Sequence, residues 1–130
     1  MISYGGDMMP RKESVLREKS EKFTTRIIKL YQYLNETKHE RTISNQIYRS
    51  GTSIGANIAE SRNAQSTPDY ISKLSIALKE AEETKYWINN LYVGGYMNEK
   101  EYNSIFNDSI EIIKILTSSI KKVKSKAGIL

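Results

Sequence analysis

The chain has 130 residues, the usual size of a single domain, and we treat residues 1–130 as one domain. It contains no cysteine and one histidine, so disulfides, thiol catalysis, thiolate metal sites and any site that needs two imidazole groups are excluded. Twenty basic against fifteen acidic residues give a net charge of +5, which is compatible with a polyanionic partner but does not demonstrate one.

The sequence offers no targeting signal. Residues 1–7 lack the basic start and the apolar core of a secretory peptide. The longest apolar runs, such as Ile112-Ile113, are far too short to cross a membrane. We therefore expect a cytoplasmic protein without a membrane partner.

The first two of four helical stretches each carry an apolar stripe. Either Ser14 or Ser20 could cap the start of the first stretch. Its stripe consists of Leu16, Phe23, Ile27, Leu30 and Leu34. The stripe of the second stretch consists of Ile43, Ile47, Ile54 and Ile58.

The third and fourth stretches have clear start signals. Residues 66–69 supply a hydroxyl cap, a proline and a first-turn carboxylate. The third stretch stops at Gly94-Gly95, and residues 98–101 have the spacing of a capping box, with Asn98 in place of the usual hydroxyl. The apolar residues of the third stretch are Leu74, Leu78, Ala81, Ile88 and Leu91 or Tyr92, and those of the fourth are Tyr102, Ile105, Ile112, Leu116, Ile120 and Val123.

Four helices of about twenty to twenty-seven residues with short connections favour an all-α fold, an antiparallel up-and-down four-helix bundle. We expect residues 1–13 to be poorly structured and residues 124–130 to form a lysine-rich tail.

The second helix has a flank of small residues, Gly51, Gly55 and Ala59, at spacings of four. Each glycine inside a helix costs about 1 kcal/mol relative to alanine, so another interaction must offset the loss. Close approach of a neighbouring helix is the favoured interpretation, and a backbone-lined contact for a partner is the alternative.

The same helix has a polar stripe without lysine. Its amide, hydroxyl, guanidinium and carboxylate groups can form hydrogen bonds with one another. Two interpretations therefore stay open, a solvated surface and a buried polar network within or between subunits. The polar stripe consists of Gln46, Arg49, Ser53, Asn57 and Glu60.

The third helix has a second face, formed by Ile76, Glu80, Glu83 and Trp87. An isoleucine and a tryptophan off the main core are candidates for a subunit contact. A di-metal bundle site needs glutamate and histidine three residues apart, and the sequence has no such pair. We predict that Glu80 and Glu83 pair with Arg49 or a lysine, and we expect no metal and no cofactor.

Two basic patches are candidates for nucleic-acid binding. The basic stripe of the first helix consists of Lys19, Lys22, Arg26 and Lys29, and the lysines near the end of the fourth helix are Lys121, Lys122, Lys124 and Lys126. The alternatives are a solvated face with local pairs, such as Glu18 with Lys22, and a soluble, frayed tail. Few aromatic residues apart from Tyr33 lie near the basic stripe, which argues against base stacking as the main source of affinity.

Three segments carry a resemblance to a known family. Residues 46–60 read QIYRSGTSIGANIAE, residues 69–81 read DYISKLSIALKEA and residues 83–87 read ETKYW. They resemble the bacterial four-helix-bundle family of 23S rRNA intervening-sequence proteins over about residues 14–120, with Ser61-Arg62 as a minor departure.

The resemblance implies a homo-oligomer, typically a ring of five, and a link to RNA. A similar protein is the accessory subunit of reverse transcriptases in diversity-generating retroelements, where it engages the polymerase and RNA. No catalytic residues are carried over. We therefore expect a non-enzymatic binding or scaffold module for RNA or an RNA-handling protein such as a reverse transcriptase. The alternative is a purely structural oligomer without a nucleic-acid role.

Overall fold

Four α-helices make up the fold of residues 11–129, which the computed structural model describes. They are α1 (Arg11–Glu36), α2 (Thr42–Ser61), α3 (Thr67–Val93) and α4 (Glu99–Lys126). The short connections 37–41, 62–66 and 94–98 make consecutive helices antiparallel. Each helix packs against its two neighbours around the bundle, and within the described range the diagonal pairs do not approach each other closely. The predicted all-α four-helix bundle is confirmed.

The start of α1 differs from both positions that the sequence suggested. The helix already includes Arg11, the first described residue, so Ser14 and Ser20 lie inside it. The Ser20 hydroxyl is buried and donates to the Arg17 carbonyl at 2.9 Å, a local bond that a serine inside a helix can make without capping anything. Of the segment expected to be poorly structured, 11–13 are helical and 1–10 lie outside the described residues. Of the lysine-rich tail expected at 124–130, residues 124–126 form the end of α4.

The predicted caps of α3 and α4 are confirmed. Ser66 Oγ accepts a hydrogen bond from the Asp69 amide at 3.1 Å. Asn98 and Glu101 form the reciprocal capping box, with both bonds at 2.8 Å. The α3 helix ends at Val93, and the chain then reverses at Gly95, whose φ of +85° suits glycine.

Glu40 takes the place of a cap at the start of α2. Its carboxylate accepts from the amides of Thr42 at 3.2 Å and Ser44 at 2.8 Å. A carboxylate is well placed there because free amides and the helix dipole make a helix start electropositive.

The core contains most residues of the predicted apolar stripes. Five stripe residues are only partly buried against it, namely Leu30, Ile43, Leu78, Tyr102 and Val123. Three residues of α3 outside the predicted stripe are also buried, namely Tyr70, Ile71 and Ala77. Isoleucine and leucine fill most of the core, with Phe23 as a large aromatic member. A buried hydrogen bond of 2.9 Å joins Thr84 Oγ1 to Ser50 Oγ between α3 and α2, so these core hydroxyls are satisfied. Among the described residues, no helix is long and apolar enough to span a membrane.

Candidate functional site

The basic stripe lies along the seam between α1 and α4, where carboxylates of α4 meet it. Lys19 Nζ is 2.8 Å from Glu111 Oε1. Arg26 donates to Asp108 and, at 3.1 Å, to the Ser104 hydroxyl. Lys22 pairs within α1, at 3.0 Å from Glu18, as the sequence suggested. Three of the four cations are therefore partly neutralised, whereas Lys29 has no ion pair in the part of the chain that the structure describes.

The contact with Glu111 changes the acid–base behaviour of Lys19. Its hydrogen bond to this carboxylate raises the pKa of the Lys19 ammonium above 10.5, against a smaller opposing effect of desolvation. Glu18 and Asp108 act in the same direction through their charges. Lys19 is thus more firmly cationic than an isolated lysine, but its charge is already engaged by its neighbours.

The α4 lysines, which are Lys121, Lys122, Lys124 and Lys126, occupy the last two turns of α4 and extend beyond the paired part of the seam. Lys121, Lys122 and Lys126 are exposed, and Lys124 is half-buried. None of the four forms an ion pair with a residue in the range 11–129. Cations are also favourable at this position because the end of a helix carries partial negative charge.

At the other end of the same seam lies a groove that the sequence analysis missed. The α1–α4 groove has a volume of about 610 Å³. Its lining residues are Arg26, Lys29, Leu30, Tyr33, Tyr96, Met97, Lys100, Glu101, Ser104 and Ile105. The groove could have been predicted from the antiparallel bundle, because this fold brings the last turns of α1 beside the connection before α4.

The polar stripe of α2 and the second face of α3 meet in one surface, the α2–α3 face. The Arg49 guanidinium donates to Glu80 at 3.4 Å and to Glu83. The Trp87 indole also donates to Glu83, at 3.2 Å. The predicted pairing of both glutamates with Arg49 is confirmed.

The other members of the polar stripe are satisfied within the same chain. Glu60 pairs with Lys73 of α3 at 3.2 Å. Ser53 donates to the Arg49 carbonyl and Asn57 to the Ser53 carbonyl, at 2.7 and 2.9 Å. Gln46 accepts from Arg49 at 3.5 Å. The stripe is thus an intramolecular network at the bundle surface, where the Arg49 side chain is 51% exposed.

Apolar groups remain exposed beside this network. Ile76 is 40% exposed, and Tyr86, which packs edge-on against Trp87, is 59% exposed. Trp87 itself is half-buried and contacts the core. Within the described range, no three histidine, aspartate or glutamate side chains gather in a group that could hold a metal ion.

Arg62, at the minor departure from the family pattern, lies near Arg17 at the other end of the bundle. Partial burial lowers the pKa of its guanidinium, and the Arg17 charge lowers it further, while Glu13 and Glu21 oppose the change. Both arginines line a second, smaller groove of about 270 Å³ between α1 and α2, beside Gly55.

The comparisons with known proteins identify the family. The sequence pattern of the family described as 23S rRNA-intervening sequence protein matches residues 12–118. The chain belongs to this family. Its membership agrees with the resemblance carried by residues 46–60, 69–81 and 83–87.

A solved structure is similar to this intervening-sequence protein over most of its length. It is a Bacteroides thetaiotaomicron protein of unknown function from the S23 ribosomal protein family. Its sequence is 52% identical to this chain, and the two structures superpose with a TM-score of 0.83. The similarity covers 85% of this chain and 98% of that one. No curated protein matches the chain.

Proposed function

We propose that this protein is a non-enzymatic, self-associating helical bundle that binds RNA in the cytoplasm through phosphate contacts of the α4 lysines. The observation that carries the proposal is a difference between the two basic patches. Three of the four cations in the basic stripe are paired with carboxylates, whereas the α4 lysines have no such partner within the described residues. A phosphate reaches a free lysine without displacing a carboxylate, so the α4 lysines are the better phosphate-binding surface.

The family description names an intervening sequence of 23S rRNA, which suggests an RNA context without defining an activity. A reverse transcriptase as partner rests on the resemblance alone, and we argue the RNA partner because the charge of the surface favours it. We propose no catalytic activity. The nucleophile, base and orienting group that an active site combines have no candidate set in a sequence with one histidine and no cysteine.

Self-association is the second part of the proposal, and exposed apolar groups on the α2–α3 face support it. Ile76 and Tyr86 present apolar surface next to a polar network, and interfaces typically combine an apolar centre with a polar rim. A ring of five, as the family resemblance implies, would repeat the α4 lysines five times. Weak phosphate contacts would then combine through a high effective concentration along one RNA.

The test measures binding of a fluorescein-labelled 20-nucleotide oligouridylate by anisotropy at several salt concentrations. If each subunit neutralises four phosphates, the logarithm of the affinity falls with the logarithm of salt concentration at a slope of about −3 per engaged subunit. Charge reversal by Lys121→Glu with Lys122→Glu is expected to weaken binding at least tenfold at low salt. The matched control is Lys79→Glu with Lys114→Glu, which makes the same change of charge at exposed positions without an ion pair in the described range.

Three results would contradict the proposal in different ways. If the control weakens binding as much as the α4 variant, only net charge matters. If Lys22→Glu with Lys29→Glu abolishes binding and the α4 variant does not, the basic stripe is the RNA surface. If the unmodified protein does not bind at low salt, the RNA function fails and the purely structural oligomer stands. Circular dichroism and light scattering are used to check that helicity and mass are unchanged in each variant.

A further inference from the structure

The α1–α4 groove has the size and the lining of a ligand site. Its volume of about 610 Å³ lies within the range of roughly 300–1,000 Å³ that is usual for small-molecule pockets. The lining is mostly apolar and includes Leu30, Met97 and Ile105, and it also includes Tyr33 and Tyr96 from two separate elements. Of the four pairs of neighbouring helices, α1 and α4 approach each other least, which leaves the seam open here.

Tyr96 is held at the groove by the backbone of the connection between α3 and α4. The preceding Gly95 has a φ of +85°, and the Tyr96 amide then donates to the Leu91 carbonyl at 2.9 Å. The ring packs partly against the core. Its position therefore does not have to be ordered when a ligand binds, which favours affinity.

Tyr33 is the second ring, and it is 40% exposed. The Lys38 ammonium lies 5.9 Å from its ring centroid, and Lys38 is not among the groove residues. Tyr33 therefore has exposed surface at the groove that a ligand can contact. Lys38 also adds a positive charge near the groove, which favours a negatively charged ligand.

The charged groups of the groove are mainly cationic. Lys29 and Lys100 have no ion pair with any residue from 11 to 129. Arg26 is oriented by Asp108 and Ser104, and Asp108 offsets its charge. The one carboxylate of the lining, Glu101, is engaged by the Asn98 amide at the start of α4. Glu101 keeps its negative charge, because a backbone amide does not neutralise a carboxylate. The two unpaired lysine ammonium groups outnumber it, so the groove still suits a phosphate.

We propose that the α1–α4 groove binds one nucleotide of a single-stranded RNA, with its base against Tyr33 and Tyr96 and its phosphate at Lys29 and Lys100. A mostly apolar lining with two tyrosines accepts the face of any base, while the lysines accept the phosphate. A base within a duplex is already stacked and paired, so the ligand is a single strand. This inference rests on the proposed RNA function and adds a second contact, made by stacking, to the phosphate contacts of the α4 lysines.

The structure also changes the interpretation of the basic stripe. The sequence placed only Tyr33 near it, so stacking was not expected to contribute much. The bundle adds Tyr96 and Lys100, which are more than sixty residues away along the chain. Lys100 lies about 30 Å along α4 from Lys122, at a rise of about 1.5 Å per residue. A single strand of several nucleotides could contact both places, whereas a mononucleotide could fill only the groove.

The experiment compares two ligands, the labelled 20-nucleotide oligouridylate and an abasic ribose-phosphate 20-mer with the same number of phosphates. The variant Tyr33→Ala with Tyr96→Ala is expected to weaken oligouridylate binding about tenfold and to leave abasic binding unchanged. Tyr33→Phe with Tyr96→Phe keeps the rings and is expected to bind as the unmodified protein does. The control is Tyr48→Ala, because Tyr48 has almost the same exposure, 41%, and lies outside the groove.

NMR of the unmodified protein provides a second measurement that does not depend on the folding of a variant. Oligouridylate is expected to shift the amide signals of residues 29–33 and 96–101, and the abasic ligand to shift them much less. If RNA binds but shifts only the signals near the α4 lysines, or if the double alanine variant behaves like Tyr48→Ala, the groove inference is wrong and the phosphate-binding function stands. If no RNA binds at low salt, the proposed function itself fails, and this inference fails with it.

Discussion

A Cβ atom on residue 51 would lie 2.7 Å from Cγ2 of Ile27, a separation that real Cβ atoms essentially never show. Gly51 is buried in α2, and Ile27 is completely buried in α1. The missing side chain of Gly51 thus lets the two helices approach closely. Gly55, one turn later, is similar, because its Cβ would lie 2.9 Å from Thr24 Oγ1. The predicted role of the glycines in helix packing is confirmed.

Gly51→Ala is expected to destabilise the protein although alanine is the better helix former. Overpacking of a core position costs about 1–3 kcal/mol. The gain in helix propensity is about 1 kcal/mol, so the expected net loss is on the order of 1 kcal/mol. Thermal unfolding followed by circular dichroism measures the change as a lower melting temperature.

Gly55→Ala is the matched comparison for this prediction. The obstructing atom there is the hydroxyl of a half-buried threonine at the rim of a groove, which can move more easily than a buried isoleucine. We therefore expect a smaller loss than at position 51. A higher melting temperature for Gly51→Ala would refute the close packing of α1 and α2 at this position.

Ser66→Ala tests the cap of α3. The substitution removes the acceptor of the Asp69 amide, and loss of such a cap costs about 1 kcal/mol. Chemical denaturation provides the free energy of unfolding. Ser72→Ala is the control, since Ser72 is exposed inside the same helix, where alanine is favoured. Equal stability of the two variants would mean that the hydroxyl of Ser66 contributes nothing.

The fold could be predicted from the sequence because its determinants are local. The isoleucines of α2 recur at helical spacing, and the caps at Ser66 and Asn98 lie within three residues of the amides that they bind. Such patterns need no knowledge of the rest of the chain. The start of α1 was harder to predict, since Ser14 and Ser20 are typical capping residues and a serine inside a helix can bond to its own backbone instead.

The candidate surfaces were less predictable because they depend on pairs of residues far apart in the sequence. Lys19 with Glu111 and Arg26 with Asp108 are defined by how α1 and α4 align lengthwise, which no local pattern encodes. The same alignment brings Tyr96 to the groove. In contrast, the pairing of Arg49 with Glu80 and Glu83 was predictable, because each polar set had a clear helical spacing on neighbouring helices.

The contact between Lys19 and Glu111 predicts a specific pH dependence. The pKa of Lys19 is higher in the folded protein than the ordinary 10.5, so its ammonium stabilises the fold at neutral pH. This contribution is complete below pH 10.5 and is lost as the pH rises through the raised pKa. An NMR titration of the lysine side chains measures this pKa directly.

Glu111→Gln is expected to bring the Lys19 pKa down towards 10.5, because it removes the main cause of the shift. The control is Glu99→Gln, at the start of α4 and far from Lys19 along the bundle. It is expected to leave the titration unchanged. If the two variants give the same Lys19 titration, the ion pair across the seam does not persist in solution.

The α2–α3 face offers two positions for a test of self-association, and they differ in what else they touch. Trp87 packs against the core of its own chain and donates to Glu83, so Trp87→Ala would disturb the bundle and any interface together. Ile76 is 40% exposed and has only an apolar side chain. A substitution there therefore separates assembly from folding more cleanly.

Ile76→Glu is expected to reduce the mass measured by light scattering while helicity stays intact. The change places a charge in the apolar contact beside Glu80, and burial of an unpaired carboxylate in an interface is strongly unfavourable. Loss of an interface hot spot typically costs 2 kcal/mol or more, enough to weaken association about thirtyfold. Val93→Glu is the matched control, because Val93 is a more exposed apolar residue at the end of the same helix. If the mass falls equally with both, or with neither, self-association does not depend on the α2–α3 face.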